Sequence, residues 1–301
     1  MLAKRSMIAN VGAPRPEALG RDAEFAFSVS DFRWIAEFLL AECGIALGEN
    51  KMNLVYSRLA KRLRALGLNS FQDYCELVGS EAGDAERKAM IAAMTTNVTR
   101  FFREPHHFDH LRDVLLPHFA KTLRSSGRVR IWSAGCSSGE EPFSIAMTIL
   151  AAIPDAAALD VRILATDIDP NMVAHARSAT YHGLSAESIP NELLRAWAVR
   201  KKTDGDTVYE MADKVRALVR FNELNLLRSW PMKGRFDAIF CRNVMIYFNE
   251  ETQFNVCRRF AEMLPPGGIL YIGHSERLAE EGLPFDLAGQ TTYAKHGGSA
   301  R

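Results

Sequence analysis

The chain has 301 residues, is 48% hydrophobic, and carries a formal net charge of +1 at pH 7. That apolar content suits one large or two smaller packed domains, and near neutrality excludes whole-surface nucleic-acid binding while leaving local patches open. No apolar run is long enough to cross a bilayer, and the start, MLAKRSMIANVG, lacks a secretion signal's apolar core and small-residue cleavage site. The expectation is a cytoplasmic protein with no membrane insertion.

Residues 1–27 show no periodicity and are expected to be a flexible leader. From 28 to 95 the pattern is that of an all-helical domain. Ser30 or Asp31 is the expected cap of a first helix carrying Phe32, Ile35 and Leu39 and ending near Gly44. A second helix runs from about Lys51 to Leu66 and stops at Gly67; Ser70 with Asp73 resembles a capping box for a third; a fourth runs from about Asp84 to Thr95. The second helix bears Lys51, Arg58, Lys61, Arg62 and Arg64 with no acid among them. Arg58 and Arg62 lie one turn apart, Lys51 falls on their side, and Lys61 stands beside them. A solvated face normally mixes signs, so this one is expected to meet an acidic partner.

Residues 96–128 form a linking segment and helix. In TTNVTRFFREPHHF, Phe101 and Phe102 are expected to pin the segment to the core, while Arg103, set between aromatics and an acid, is able to grip a carboxylate with two prongs. His106 and His107 are adjacent, which is not metal-ligand spacing, and no metal is expected. The five cysteines, Cys43, Cys75, Cys136, Cys241 and Cys257, are odd in number and scattered, and are expected to be reduced core thiols.

The most informative stretch is VRIWSAGCSSGEEP, residues 129–142, which reads as strand, tight turn and helix. Gly135 and Gly139 allow close approach of backbone to a ligand, and Pro142 suits a first helical turn. Glu140 and Glu141 stand where a phosphate-binding loop would leave a bare helix N-terminus. Two carboxylates repel pyrophosphate and welcome a cation such as a methionine ammonium. The next strand, RILATDI, ends in Asp167, placed to accept ribose hydroxyls. A phosphate-free nucleoside is therefore expected, and S-adenosylmethionine fits.

The catalytic α/β domain is expected over 129–296, interrupted at about 180–219 by a small antiparallel insertion, with a flexible tail at 297–301. The insertion shows strand-like Thr207 to Tyr209 and Val215 to Phe221, and is either a bare excursion or a sheet edge for docking. The parallel pattern resumes at VRFNELNLL and then FDAIFCRNVMIYF, which sets Arg242, Asn243 and Tyr247 at the carboxyl end of a buried strand, where open parallel sheets bind ligands. A helix from Glu250 to Met263, a strand into GHSE and a last antiparallel strand at Thr291 to Lys295 complete the pattern.

TTNVTRFFRE, WSAGCSSGEEP, ATDID, NLL, FDAIFCRNVMIYF and GHSE, in this order between about Ser28 and Tyr293, resemble the chemotaxis receptor methyltransferases, the CheR family. The resemblance implies a Rossmann-like methyltransferase domain behind an all-helical domain. It implies S-adenosylmethionine-dependent methylation of glutamate side chains on the cytoplasmic helices of chemoreceptors, yielding glutamate methyl esters and S-adenosylhomocysteine. Carried over position by position, it implies cofactor contacts at Asn97, Thr99, Arg103, Glu141, Asp167, Asn225, Leu226, Arg242 and Asn243, with Tyr247 near the transferable methyl. Arg103 and Tyr247 are the candidates for steering the acceptor; Lys51, Arg58, Lys61 and Arg62 are the candidates for holding the receptor helix. Some family members also dock a receptor tail peptide at the insertion. A nucleic-acid methyltransferase would want basic and aromatic surface residues interleaved, whereas here the basic residues share one helix, so no nucleic acid is expected.

Overall fold

The structure is a computed structural model that describes residues 24–203, 205–279 and 281–297. The chain divides into two compact units, Met1–Phe38 with Leu47–Arg87, and Leu39–Ala46 with Lys88–Arg301. The division falls before the expected boundary at 95, because the helix that starts at Asp84 continues from one unit into the other.

The first unit is helical. Its elements are α1 (Val29–Cys43), which ends in the second unit, α2 (Met52–Leu66), α3 (Phe71–Gly79) and the start of α4 (Asp84–Met94). Ser28, not Ser30 or Asp31, begins α1: its N–H donates to Asp31 Oδ2 at 2.8 Å and its Oγ accepts from Asp31 N–H at 3.1 Å, a reciprocal cap. The expected stops hold, with Gly67 left-handed after α2 and Ser70 Oγ accepting from Asp73 N–H before α3. The expected leader is too long. Phe25 and Phe27 are buried, and the Phe27 ring packs 4.3 Å from Phe71; aromatics this close to a helix start join its core although the sequence around them has no period. Residues 1–23 of that leader lie outside the described residues.

Inside this unit an ion pair is partly buried. Arg62 Nε and Nη2 donate to the two oxygens of Glu86 at 2.9 and 2.6 Å, and the buried Tyr74 hydroxyl donates to Glu86 Oε1 at 2.8 Å. Glu86→Ala strands a buried hydroxyl and a guanidinium together, so urea denaturation should show a loss of about 2 kcal/mol; a midpoint unchanged from the parent would mean the triad is not holding these helices.

The second unit holds, in order, α5 (His106–His110), a π turn over Leu111–Leu115, α6 (Leu116–Arg124), β1 (Val129–Ala134), α7 (Glu140–Ala152), β2 (Val161–Asp167), α8 (Pro170–Ser178), β3 (Thr180–His182), α9 (Gly183–Ala186), α10 (Asn191–Trp197), β4 (Ala198–Thr203), β5 (Asp206–Met211), α11 (Asp213–Leu218), β6 (Val219–Glu223), β7 (Ala238–Cys241), α12 (Glu250–Met263), β8 (Ile269–Ile272), β9 (Phe285–Gly289) and β10 (Thr292–Lys295). The main sheet runs β6-β2-β1-β7-β8-β10-β9, parallel through β8 and antiparallel beyond it. Continuous apolar strands such as β7 and β8 are buried at every residue, as expected of a sheet covered on both faces. From β1 the chain turns to β2 on one side, whereas β7 lies on the other. The switch point therefore opens at the carboxyl ends of β1, β2 and β7, where ligands of such sheets bind.

The insertion is a second antiparallel sheet of order β3-β5-β4. It is larger than the hairpin pattern suggests, and Val215–Leu218, strand-like in sequence, is helical in α11; tertiary packing of Val215 and Leu218 into the core overrides their β-propensity. The last strand appears as β10, with β9, which no period marks, outside it. The five cysteines are all buried and free. No helix among the described residues is long and apolar enough to cross a membrane.

Candidate functional site

The turn between β1 and α7 is built by backbone geometry. Gly135 adopts φ +81°, and its N–H donates to the Thr166 carbonyl at 2.7 Å. A side chain there would bring Cβ to 2.3 Å from Val244 Cγ2, so only glycine lets the loop after β7 close over the turn. Asp167, at the end of β2, ties the turn down. Its Oδ2 accepts Ser137 N–H at 2.7 Å and its Oδ1 accepts Asp169 N–H at 2.9 Å. Each oxygen keeps a further lone pair, and the residue lines the crevice above the turn. Burial raises the Asp167 carboxyl, against the pull of those two N–H groups. Asp169 in turn caps α8 and accepts from Asn97 Nδ2 at 2.9 Å, while Ser137 Oγ donates to the Asn97 carbonyl at 3.0 Å, fixing the segment after α4 to the same turn.

The two acids of the turn part company. Glu141 lines the crevice, whereas Glu140 is buried and accepts from Ser138 Oγ at 2.7 Å, so the expected pair of ligand-facing carboxylates is reduced to one. Burial pushes Glu141 upward, opposed by Arg242 and by Ser133 Oγ, which donates at 2.6 Å. Arg242 lies between two carboxylates, 3.2 Å from Glu141 and 3.2 Å from Glu104, with its Cζ 5.6 Å from the Phe108 ring centroid. It also donates to the Arg103 carbonyl. The acid beside Arg103 in sequence thus pairs with Arg242. The Arg103 Nη1 donates to the Val98 carbonyl at 3.0 Å, and among the described residues no carboxylate pairs with this guanidinium.

Behind Glu104 stand His274, whose Nδ1 lies 2.8 Å from Oε1, and fully buried His107, whose Nδ1 is 3.6 Å from Oε2. Although burial works the other way, Arg242 and the His274 hydrogen bonds hold Glu104 down to about 2. Burial and the Arg242 charge bring His107 down to about 3, so its ring is neutral at pH 7. The rings of His106 and His107 both reach Thr291 Oγ1, at 3.3 and 2.9 Å, in the turn between β9 and β10. Glu104, His106 and His107 bring their ligand atoms within 4.8 Å of one another, closer than their sequence spacing implies. The Arg242 charge on the same carboxylate opposes a second cation there.

All ten residues expected at the cofactor and acceptor sites, Asn97, Thr99, Arg103, Glu141, Asp167, Asn225, Leu226, Arg242, Asn243 and Tyr247, line one crevice of about 1010 Å³ including its open mouth. Asn225 spends its side chain on structure, donating to the Glu42 carbonyl at 2.7 Å and accepting Leu227 N–H at 2.9 Å. Sequence reasoning missed Cys43 and Ile45, which line the crevice from the end of α1, and the supporting carboxylates Glu104 and Glu276. Glu276 is buried and accepts N–H bonds from Gly273, Asn243 and Ile246; its one sequence signal is an acid at the end of a buried strand. Cys136 lines the crevice too, and burial raises its thiol far above the ordinary range, so it packs and does not react.

The four cationic candidates lie in the helical unit. Arg62 is committed to Glu86, and neighbouring Arg64 pairs with Glu24 at 2.9 Å. Lys51, in the short turn before α2, and Lys61 are exposed, and Arg58 is half-buried. The basic face is therefore narrower than the helical spacing predicts, because acids distant in sequence fold onto it.

The crevice suits a nucleoside joined to an amino acid: a glycine-lined turn closed by Val244, a strand-end carboxylate with free lone pairs, and one further carboxylate at the helix start. Comparison with known proteins agrees over both units. Residues 97–294 match the family profile described as "CheR methyltransferase, SAM binding domain", and residues 30–95 match "CheR methyltransferase, all-alpha domain". A "Probable chemotaxis protein methyltransferase" of Rhizobium etli is 51% identical across 85% of this chain and 96% of its own length. The "Chemotaxis protein methyltransferase" of Escherichia coli is 40% identical across 89% and 92%, and "Chemotaxis protein methyltransferase 2" of Pseudomonas aeruginosa is 38% identical across 93% and 98%. With the crevice and both profiles accounting for the chain from its first helix to its last strand, the protein belongs to the CheR family of methyltransferases and takes S-adenosylmethionine as its cofactor.

Proposed function

We propose that this enzyme esterifies glutamate side chains on the cytoplasmic helices of chemoreceptors, in the cytoplasm, and that the ten residues around the crevice divide the work. The observation that carries the reading is their convergence on one cavity from five separate segments of chain. Asp167 accepts the ribose hydroxyls with its remaining lone pairs, Glu141 faces the methionine ammonium, and Leu226 with the Asn225 backbone borders the adenine. The bound cofactor supplies a methyl group already activated on a positive sulfonium.

The acceptor needs little activation. A glutamate carboxylate has a reference pKa of about 4.3 and is an anion at neutral pH. No general base is required, and the acids nearby are occupied: Glu104 and Glu141 both pair with Arg242. What the protein adds is placement and removal of water. Arg103, anchored through one Nη to Val98, keeps most of its N–H donors for a carboxylate, and half-buried Tyr247 lines the crevice with it. The test is incubation with radiolabelled S-adenosylmethionine and receptor cytoplasmic fragments, followed by mild base: release of labelled methanol supports the ester, and label stable to base rejects it.

Lys51, Arg58 and Lys61 are assigned to holding the glutamate-bearing receptor helix. Exposed charge pairs are screened over about 8–10 Å at physiological ionic strength. Raising salt from roughly 50 to 500 mM should therefore lower kcat/KM several-fold, and Lys51→Glu with Lys61→Glu should abolish that dependence; salt-insensitive turnover of the parent enzyme counts against the assignment. Arg62 is left out of the test because reversing it breaks the pair with Glu86. Among the described residues no strand pairs with the outer edge of β4, where Val199 is 52% exposed beside Arg200 and Lys202. That edge fits an acidic receptor tail added as a further strand.

A further inference from the structure

Arg103 is presented by an unusual piece of backbone. Phe102 and Glu104, on either side of it, both adopt the left-handed conformation, with φ 51° and 58°. Residues with a side chain rarely sit there, and two so close persist only when their surroundings dictate it. Two side chains do so here. Ser144 Oγ, fully buried on α7, accepts Phe102 N–H at 3.0 Å and donates to the Glu140 carbonyl at 2.6 Å. The Glu104 carboxylate is the other. It accepts from Arg242 Nε at 3.3 Å, pairs with Arg242 Nη2 at 3.2 Å, and accepts the His274 N–H at 3.2 Å beside the contact with the His274 ring. Arg242 closes the circuit by donating to the Arg103 carbonyl.

We propose that Glu104 is a positioning residue, a latch that holds the left-handed turn around Arg103 against Arg242 and so keeps the Arg103 guanidinium at the crevice. Glu104 itself does not line the crevice, so its effect on methyl transfer passes through its neighbours. Held near 2 by Arg242 and His274 in spite of burial, its carboxylate stays charged throughout the working pH range and the latch does not open by titration. Glutamine at 104 keeps the shape and one acceptor oxygen but loses the charge that two N–H groups of Arg242 share. A guanidinium released from Glu104 turns to Glu141, and its hold on the Arg103 carbonyl goes with it.

The inference rests on the role given to Arg103 above, and a double-mutant cycle separates the two. Turnover is measured at saturating S-adenosylmethionine for the parent, Glu104→Gln, Arg103→Ala and the double variant, with S-adenosylhomocysteine titrated calorimetrically into each to confirm an assembled crevice. A latch predicts that Glu104→Gln lowers kcat about tenfold or more in the parent but changes turnover less than twofold once Arg103 is alanine. Losses that multiply in the double variant, or a Glu104→Gln enzyme within twofold of the parent, overturn the latch. Near-normal turnover of Arg103→Ala alone is a different result, and it removes the role of Arg103 on which the latch depends.

Discussion

Arg103→Ala is expected to depress methyl transfer to receptor fragments by about a hundredfold or more, roughly 3 kcal/mol of transition-state stabilisation, with the melting temperature nearly unchanged. The fold should survive because among the described residues the side chain makes one hydrogen bond, to the Val98 carbonyl, while the turn around it is held by Ser144 and Glu104. The expected loss is large because a carboxylate entering a crevice already lined by Glu141 and Asp167 meets like charge unless a guanidinium offsets it. Arg103→Lys should recover only part of the rate, since an ammonium cannot reproduce the two-pronged grip. Turnover of the alanine variant within a few-fold of the parent would remove Arg103 from the acceptor site.

The second large effect belongs to Asp167. Replacing it with alanine removes the acceptor for the N–H groups of Ser137 and Asp169, together with the acceptor proposed above for the ribose hydroxyls. Hydrogen bonds to a charged group are worth about 1.5–3 kcal/mol each, so loss of two should raise the Kd for S-adenosylhomocysteine by about a hundredfold or more by calorimetry. Asp167→Asn, which keeps one acceptor oxygen and the shape of the turn, should fall between the two. An affinity unchanged in the alanine variant would place the ribose elsewhere.

How much of this the sequence carried depended on distance along the chain. The crevice was legible because its parts announce themselves locally: a run of small residues between strand and helix, an acid closing the next strand, a polar cluster closing another. Helix stops were equally local, as at Gly67 and Ser70. What stayed hidden was the destination of charges. Arg62 meets Glu86 24 residues on, and Arg242 meets Glu104 138 residues back; no window of sequence contains both partners. The basic stripe of α2 therefore read as wider than it is, and Glu104 read as a flank of Arg103. Phe27 escaped for a related reason, since one aromatic in an aperiodic stretch carries no pattern although its ring packs on Phe71.

The hydroxyl of Thr291 sits at the tip of the final hairpin and lies within hydrogen-bond distance of the rings of both His106 and His107. β10 inserts between β8 and β9, which ties that hairpin into the main sheet. Thr291→Ala removes this shared contact of the two rings while leaving every residue of the β1–α7 turn in place. The histidine pair at the start of α5 is thus braced by a hydroxyl some 185 residues further along the chain, so the last hairpin and α5 hold one another in place.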